Sequence, residues 1–216
     1  MTDTVRPYIP AMGRHWMLFL YDPFARAAGL SQVHGELLER AGVRPGHRVL
    51  EVGCGPGDLL LQLGRRVPGA DLTGIDPDPA ALRKARRKAA RRGLTVRFML
   101  AYADELPLPD DSLDRVLSSY MLHHLDEQPQ VAAMREIRRV LRPGGELHVV
   151  DADGTRRPGA RRHQHPRLAG HTPERIQAVM RRGGLRHAPM LPVAKVVPKP
   201  IPVWHTGCGP PRPAAV

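Results

Sequence analysis

The sequence predicts an α/β domain with a doubly wound, mostly parallel sheet, and three observations carry that reading. The apolar run Val49, Leu50, Val52 ends in glycines at 53, 55 and 57, and Leu59, Leu60, Leu61 and Leu63 follow as the buried side of a helix. Strand, glycine turn and helix form the mouth of a nucleotide-type pocket, because a residue without Cβ takes unusual dihedrals and lets a ligand approach the backbone. Residues 72–75 then give a second buried strand ended by Asp76-Pro77, placing an acid where a carboxylate can accept two ribose hydroxyls. Beyond it the pattern keeps alternating, with strands at 95–100, 114–118 and 146–151 and helices at 79–92 and 129–141. The loop's N–H groups and the helix N-terminus are expected to face the ligand.

A chain of 216 residues most simply makes one domain with a core of normal size. Its formal charge is +12, from 33 Lys plus Arg against 21 Asp plus Glu, which admits nucleic acid or a membrane surface as a partner. Only Lys84, Lys88, Lys195 and Lys199 are lysines, however, and Ala, Gly and Pro are abundant too. Arg, Ala, Gly and Pro share GC-rich codons, so base composition accounts for the balance, and a nucleic-acid partner is not favoured. Cys54 and Cys208 make neither a disulfide framework nor a metal spacing. No apolar leader and no run of about 18 apolar residues is visible, so a cytoplasmic location without a membrane span is expected.

In order, residues 1–12 read as a loop. Residues 13–30 carry Trp16, Phe19, Tyr21 and Phe24. They form either a helix packed on the domain or a lid over the pocket, and in the second case Tyr21 joins the candidate catalytic residues. Ser31 reads as the N-cap of a helix to about Arg40, with Val33, Leu37 and Leu38 on one face. The 79–92 helix turns Ala81, Leu82, Ala85 and Ala89 inward. Its outer face carries Arg83, Lys84, Arg86, Arg87, Lys88, Arg91 and Arg92, the best nucleic-acid candidate, but without interleaved aromatics for stacking. S-Y-M-L-H-H-L follows the fourth strand at its carboxyl end, where open parallel sheets bind ligands. In the helix at 129–141, Pro129 stands near the first position. L-R-P-G-G makes a turn with Gly144 at positive φ. Residues 154–170 form a polar insertion whose His163 and His165, with His171, lack a Cys or carboxylate to close a metal site, so no metal is assigned. Thr172-Pro173-Glu174 opens a helix with Ile176, Val179 and Met180 inward. The proline-rich end suits a short, irregular hairpin and a disordered tail.

Two details refine the ligand. A dinucleotide fingerprint needs glycine at 58, where Asp58 stands, and Glu51 lies two places before the first glycine. The resulting E-x-G-x-G-x-G, together with Asp76, the loop A-Y-A-D-E-L-P-L-P-D-D-S-L-D and the run R-V-L-R-P-G-G-E-L-H-V-V-D, resembles class I S-adenosylmethionine (SAM)-dependent methyltransferases. The likeness runs over about residues 45–185 and is nearest to the ubiquinone/menaquinone C-methyltransferase-like (type 11) branch. It implies a Rossmann-like, seven-stranded sheet with an antiparallel last strand and helices on both faces, and SAM as cofactor. It places Gly53, Cys54, Gly55 and Gly57 against the methionine end, Glu51 near the ammonium, and Asp76 with Pro77 at the ribose. Tyr102 replaces the acid that usually meets the adenine amino group. Either Asp104 supplies that contact, or Tyr102 stacks while the Ala103 backbone bonds the ring. Ser118 and Ser119 join the cofactor side. His123 and His124 follow beside the methyl group as candidate general bases, with His124 preferred because it continues the alternation Ser118, Tyr120, Leu122.

The expected organisation is an N-terminal helical lid or cap (1–46), a SAM-binding methyltransferase domain (47–206) and a tail (207–216), as monomer or homodimer. The expected reaction is methyl transfer to an O, N or C nucleophile of a small-molecule acceptor. An RNA methyltransferase and a non-catalytic SAM-binding regulatory or assembly protein are the alternatives. Absence of (N/D)-P-P-Y argues against nucleobase amino groups, and Asp58 against a nicotinamide oxidoreductase.

Overall fold

The computed structural model describes residues 29–154, 168 and 170–185, and the backbone of 191–192 and 202–207. The elements are α1 (Leu30–Ala41), β1 (Arg48–Val52), α2 (Asp58–Arg66), β2 (Asp71–Asp76), α3 (Pro79–Arg91), β3 (Arg97–Leu100), β4 (Leu113–Ser119), α4 (Glu127–Val140), β5 (Leu141–Val150) and α5 (Pro173–Arg182). Five strands pair in parallel in the order β3-β2-β1-β4-β5, a Rossmann-like α/β arrangement. Winding runs outward from β1 through β2 to β3, then β4 returns to the other side of β1. The crevice at that reversal lies beyond the carboxyl ends of β1 and β4.

Both faces of the sheet are covered, which is why its strands are apolar at nearly every position. Leu50, Val52, Val116, Leu147 and Val149 meet Val131, Met134 and Ile137 of α4 and Ile176 and Met180 of α5. The alternate residues Val49, Leu117 and Val150 meet Val33 and Leu37 of α1, Leu59 and Leu63 of α2, and Leu82 and Ala85 of α3. Glu127, at the start of α4, is bonded by Arg175 at 3.1 Å and by Arg182, tying α5 beside α4.

Three local expectations change. Ser31 is not the cap of α1: Gly29 stands there at φ 68, and Ser31 lies inside the first turn. α4 begins at Glu127, ahead of Pro129, which is tolerated because first-turn N–H groups lack helical partners. β5 already pairs at Leu141 opposite Leu113, bulges through residues 142–145 with Gly144 at φ 79, and resumes at Glu146 opposite Arg115. Thr172 caps α5 as expected, its Oγ1 accepting the Arg175 N–H at 3.3 Å. The aromatic stretch with Trp16 and Tyr21, most of the 154–170 insertion including His163 and His165, and the tail beyond 207 lie outside the described residues.

Candidate active site

The loop after β1 holds its glycines at φ 73 (Gly53), 50 (Gly55) and 80 (Gly57). A Cβ at Gly53 would sit 2.3 Å from Met121 Cγ, whereas one at Gly55 would meet nothing within 4 Å. The loop's N–H groups are turned inward, contrary to the sequence expectation. Gly53 and Cys54 both donate to the Ile75 carbonyl at 2.9 Å, Gly57 donates to the Cys54 carbonyl at 2.8 Å, and Gly55 donates to Asp76 Oδ2 at 2.8 Å. A loop whose amides are consumed by its own fold is a poor cradle for pyrophosphate.

The charge around the loop is negative instead. Glu51 is 3% exposed and its Oε2 has no hydrogen-bond partner among the described residues. Burial raises its pKa well above the usual carboxylate range, Asp58 and Asp76 add to this, and the Leu60 N–H opposes it. Burial likewise lifts Asp76 to about 6 against hydrogen bonds from Asp78 and Gly55. Asp58, the residue that breaks the dinucleotide fingerprint, starts α2 and is bonded by Lys88 at 2.7 Å. After Pro77, Asp78 caps α3 by accepting the Ala80 N–H at 2.8 Å. Burial, with Glu51 nearby, pushes the Cys54 thiol up, so this cysteine is a small packing residue rather than a nucleophile. Three carboxylates at one loop, one with an orphaned oxygen, suit a cation.

Tyr102, Ala103 and Asp104 form the half-buried turn after β3, with the Tyr102 carbonyl accepting the Glu105 N–H at 3.2 Å. Its continuation is fixed by two α4 residues that sequence reasoning did not single out. Arg139 donates to the Leu108 carbonyl at 2.8 Å, the Leu106 carbonyl at 2.9 Å and Asp110 at 2.6 Å, and Glu136 accepts the Leu106 N–H at 2.8 Å. Their spacing as an acid–base pair three apart was the available signal.

At the end of β4, Ser118 is fully buried with its Oγ unpartnered among the described residues, while Ser119 Oγ lies 3.0 Å from His34 Nε2 of α1. Tyr120 then adopts φ 55, a left-handed conformation that non-glycine residues rarely take, and its N–H donates to the Val150 carbonyl at 2.8 Å. Burial and the charge of Asp151 push the Tyr120 hydroxyl up. A single 3₁₀ turn, Leu122–His124, follows.

This turn removes the basis for preferring His124, because period-two alternation stops where the strand stops. His123 is the residue placed on an acid: its Nδ1 lies 2.5 Å from Asp151 Oδ1. Asp151, 0% exposed, also accepts the N–H groups of Leu122 at 2.7 Å and Ala152 at 2.7 Å. Burial alone would raise Asp151, but the hydrogen bond from His123 and the charge of His123 and His171 outweigh it and hold the group well below the usual carboxylate range. Asp151 closes the run R-V-L-R-P-G-G-E-L-H-V-V-D, so it was visible in the sequence, yet nothing there tied it to His123.

Comparison with known proteins gives the likeness that this geometry carries. Residues 49–145 match the family described as "Methyltransferase domain". This stretch resembles the domain of class I SAM-dependent methyltransferases. The demethylmenaquinone methyltransferase of Thermus thermophilus is 43% identical over 104 residues, covering 48% of this chain and 46% of that protein. The chain superimposes on a SAM-dependent methyltransferase from Aquifex aeolicus with a TM-score of 0.69 over 81% of this chain and 89% of that one; at 22% identity this shows the shared fold. The [4+2]-cyclase SpnF aligns with a TM-score of 0.65 and 31% identity over 75% of this chain and 59% of its own. The chain spans about half the length of the curated relatives it matches.

Proposed function

We propose that this methyltransferase domain binds SAM at the glycine loop and transfers its methyl group to a small-molecule nucleophile. The observation that carries the reading is the orphaned, buried Glu51 carboxylate beside Asp58 and Asp76 at a loop whose amides are already bonded. That environment offers an ammonium a partner and offers a phosphate nothing. Gly53, Cys54, Gly55 and Gly57 would hold the methionine part, Asp76 the ribose, and Ala103 with Asp104 or Tyr102 the adenine. Bound SAM supplies a methyl group already activated on a sulfonium. The chain's own task is then to position an acceptor in a pocket without bulk water. The demethylmenaquinone methyltransferase relative supports a small organic acceptor.

Titration with SAM by calorimetry, followed by a labelled-SAM screen of small phenols, quinones and amines, tests the proposal. Micromolar-range binding and transfer to at least one acceptor are expected; no binding overturns it. A second reading, that the pocket serves a reaction other than methyl transfer, is favoured by the likeness to the [4+2]-cyclase. SAM binding without transfer to any acceptor would select it, or a non-catalytic role.

RNA is the weaker alternative. On the basic face of α3, Arg86 donates to the Phe98 carbonyl at 2.7 Å and Lys88 holds Asp58, so part of that charge serves the fold. Two further readings complete the proposal. Pro202–Gly207 antiparallel to β5, with Leu191–Pro192 beyond it, supports closure to seven strands. The lid reading of residues 13–30, with Tyr21 as a candidate acceptor-side residue, rests on their aromatic composition. Among the described residues no helix is long and apolar enough to cross a membrane, which fits a cytoplasmic enzyme.

A further inference from the structure

From Pro79 to Ala103 the chain carries eight Lys or Arg and no Asp or Glu, although 21 acids are spread over the rest. Base composition accounts for the number of arginines, not for an acid-free run of this length. Two of the eight serve the fold: Arg86 donates to the Phe98 carbonyl at 2.7 Å and Lys88 to Asp58 at 2.7 Å. Arg83, Arg87, Arg91, Arg92 and Arg97 are exposed, and their guanidinium groups make no hydrogen bond or ion pair among the described residues. Arg83, Arg87 and Arg91 recur every four residues and so stand one above another on one side of α3. Like charges at that spacing repel and weaken the helix, and no acid of α3 or β3 offsets them. The row does nothing for the domain that carries it.

An apolar side chain stands beside it. β3 is the outermost of the five parallel strands, and Phe98 packs inward with Leu82 and Ala85 of α3. By strand alternation Leu100 shares that face of the sheet with α3. Leu100 is 61% exposed, a large hydrophobic side chain left bare at the end of β3. Its register partner is Asp76, three residues before α3 begins, so Leu100 sits at the Arg83 end of the row. Guanidinium groups beside a bare leucine suit an anionic lipid layer, where cations meet phosphate headgroups and an alkyl group enters the apolar boundary beneath them. Single-stranded nucleic acid asks for exposed aromatic rings to stack on its bases. The two aromatic residues of this stretch do not offer them: Phe98 is buried and Tyr102 half-buried.

We propose that the exposed arginine row of α3, with Arg97 and Leu100 of β3, docks this domain on an anionic phospholipid surface. The contact is peripheral and reversible, because one leucine enters only the boundary layer and the remaining attraction is between exposed charges. It lies outside the glycine loop and does not depend on the SAM reading. Leu100 ends β3 at the carboxyl edge of the sheet, the edge where the crevice opens, so a docked domain holds its candidate site close to the lipid surface.

Flotation of the full chain with phosphatidylcholine vesicles, with and without phosphatidylglycerol, tests this. Capture by the mixed vesicles alone is expected, with release as salt rises, since exposed charges are screened beyond about 10 Å at roughly 0.1 M. Combined Arg83→Gln, Arg87→Gln and Arg91→Gln should weaken capture about 10²-fold, at about fivefold per cation. That variant should melt no lower than the wild type, because repulsion along α3 is relieved. The same three positions changed to Lys keep their charge and should keep capture. Leu100→Ser should weaken capture less and leave its salt dependence unchanged. No capture by the anionic vesicles, or capture undiminished in the glutamine variant, overturns the proposal. Tighter binding of a single-stranded RNA oligomer at the same salt, lost in the glutamine variant, also overturns it and makes the face a nucleic-acid one. Should the glutamine variant not fold, the lysine variant and the wild-type salt series decide: lost capture in the first, or capture indifferent to salt, overturns the proposal.

Discussion

Asp76 spans two structures: its Oδ2 accepts the Gly55 N–H at 2.8 Å and its Oδ1 accepts the Asp78 N–H at 2.8 Å. One carboxylate therefore fixes the glycine loop and the start of α3, and each oxygen retains a lone pair for a ribose hydroxyl. Burial lifts this acid from 3.8 to about 6, and it accepts hydroxyl hydrogen bonds fully only when ionised. SAM affinity should therefore hold above that pH and weaken as pH falls through it. Asp76→Asn should flatten the profile and weaken binding by about 1.5–3 kcal/mol. Calorimetry on either side of that value checks both; a wild-type profile in the variant refutes the role.

Glu51→Gln should move stability and binding in opposite directions. The buried carboxyl, its pKa raised by burial and by Asp58 and Asp76, costs stability increasingly as pH rises towards its folded value. The neutral amide removes that cost, so the ligand-free variant should resist urea at least as well as the wild type at neutral pH. Its SAM affinity should drop by tenfold or more, since a charge-assisted pair is about 1.5–3 kcal/mol. Equal affinity in the two proteins would remove Glu51 from the cofactor site.

Gly53→Ala and Gly55→Ala should separate packing from ligand access. Both positions are left-handed, a strain of about 1–2 kcal/mol for a side chain. At Gly53 the new methyl also meets Met121, so Gly53→Ala should be the less stable protein, with partial recovery in a Met121→Ala background. At Gly55 the methyl points into open space, so that variant should stay folded and lose SAM. Thermal melts with and without SAM distinguish the two.

His34 links α1 to the end of β4 and carries a pH signature. Burial lowers its pKa from 6.5 to about 4, so the folded protein resists the proton that the unfolded chain accepts. Stability is full above the unfolded value and is lost as pH falls from there towards the folded one, by about 3 kcal/mol in all at roughly 1.4 kcal/mol per pH unit. Asp76 acts in the opposite sense over part of that range, so the comparison is with His34→Phe. Urea titrations should show a shallower acid slope in the variant; equal slopes would mean that His34 is solvated.

The sequence by itself determined the order of strands and helices, the glycine loop, and the acids at 51 and 76. These are local signals, since burial on both faces of a parallel strand needs an unbroken apolar run and a left-handed turn needs glycine. Boundaries slipped where the signal was not local: Gly29 displaced Ser31 as a cap, and β5 absorbed the L-R-P-G-G turn as a bulge. Only tertiary structure decided where the loop's amides go, because their acceptors, the Ile75 carbonyl and Asp76, lie on another strand. It also set His123 against Asp151. A left-handed Tyr120 and a 3₁₀ turn broke the alternation on which sequence reasoning relied. The partner that orients His123 stands 28 residues away, and His171 comes in from beyond β5. Hydrogen bonds between segments that meet only after the sheet has formed leave no periodicity in the chain.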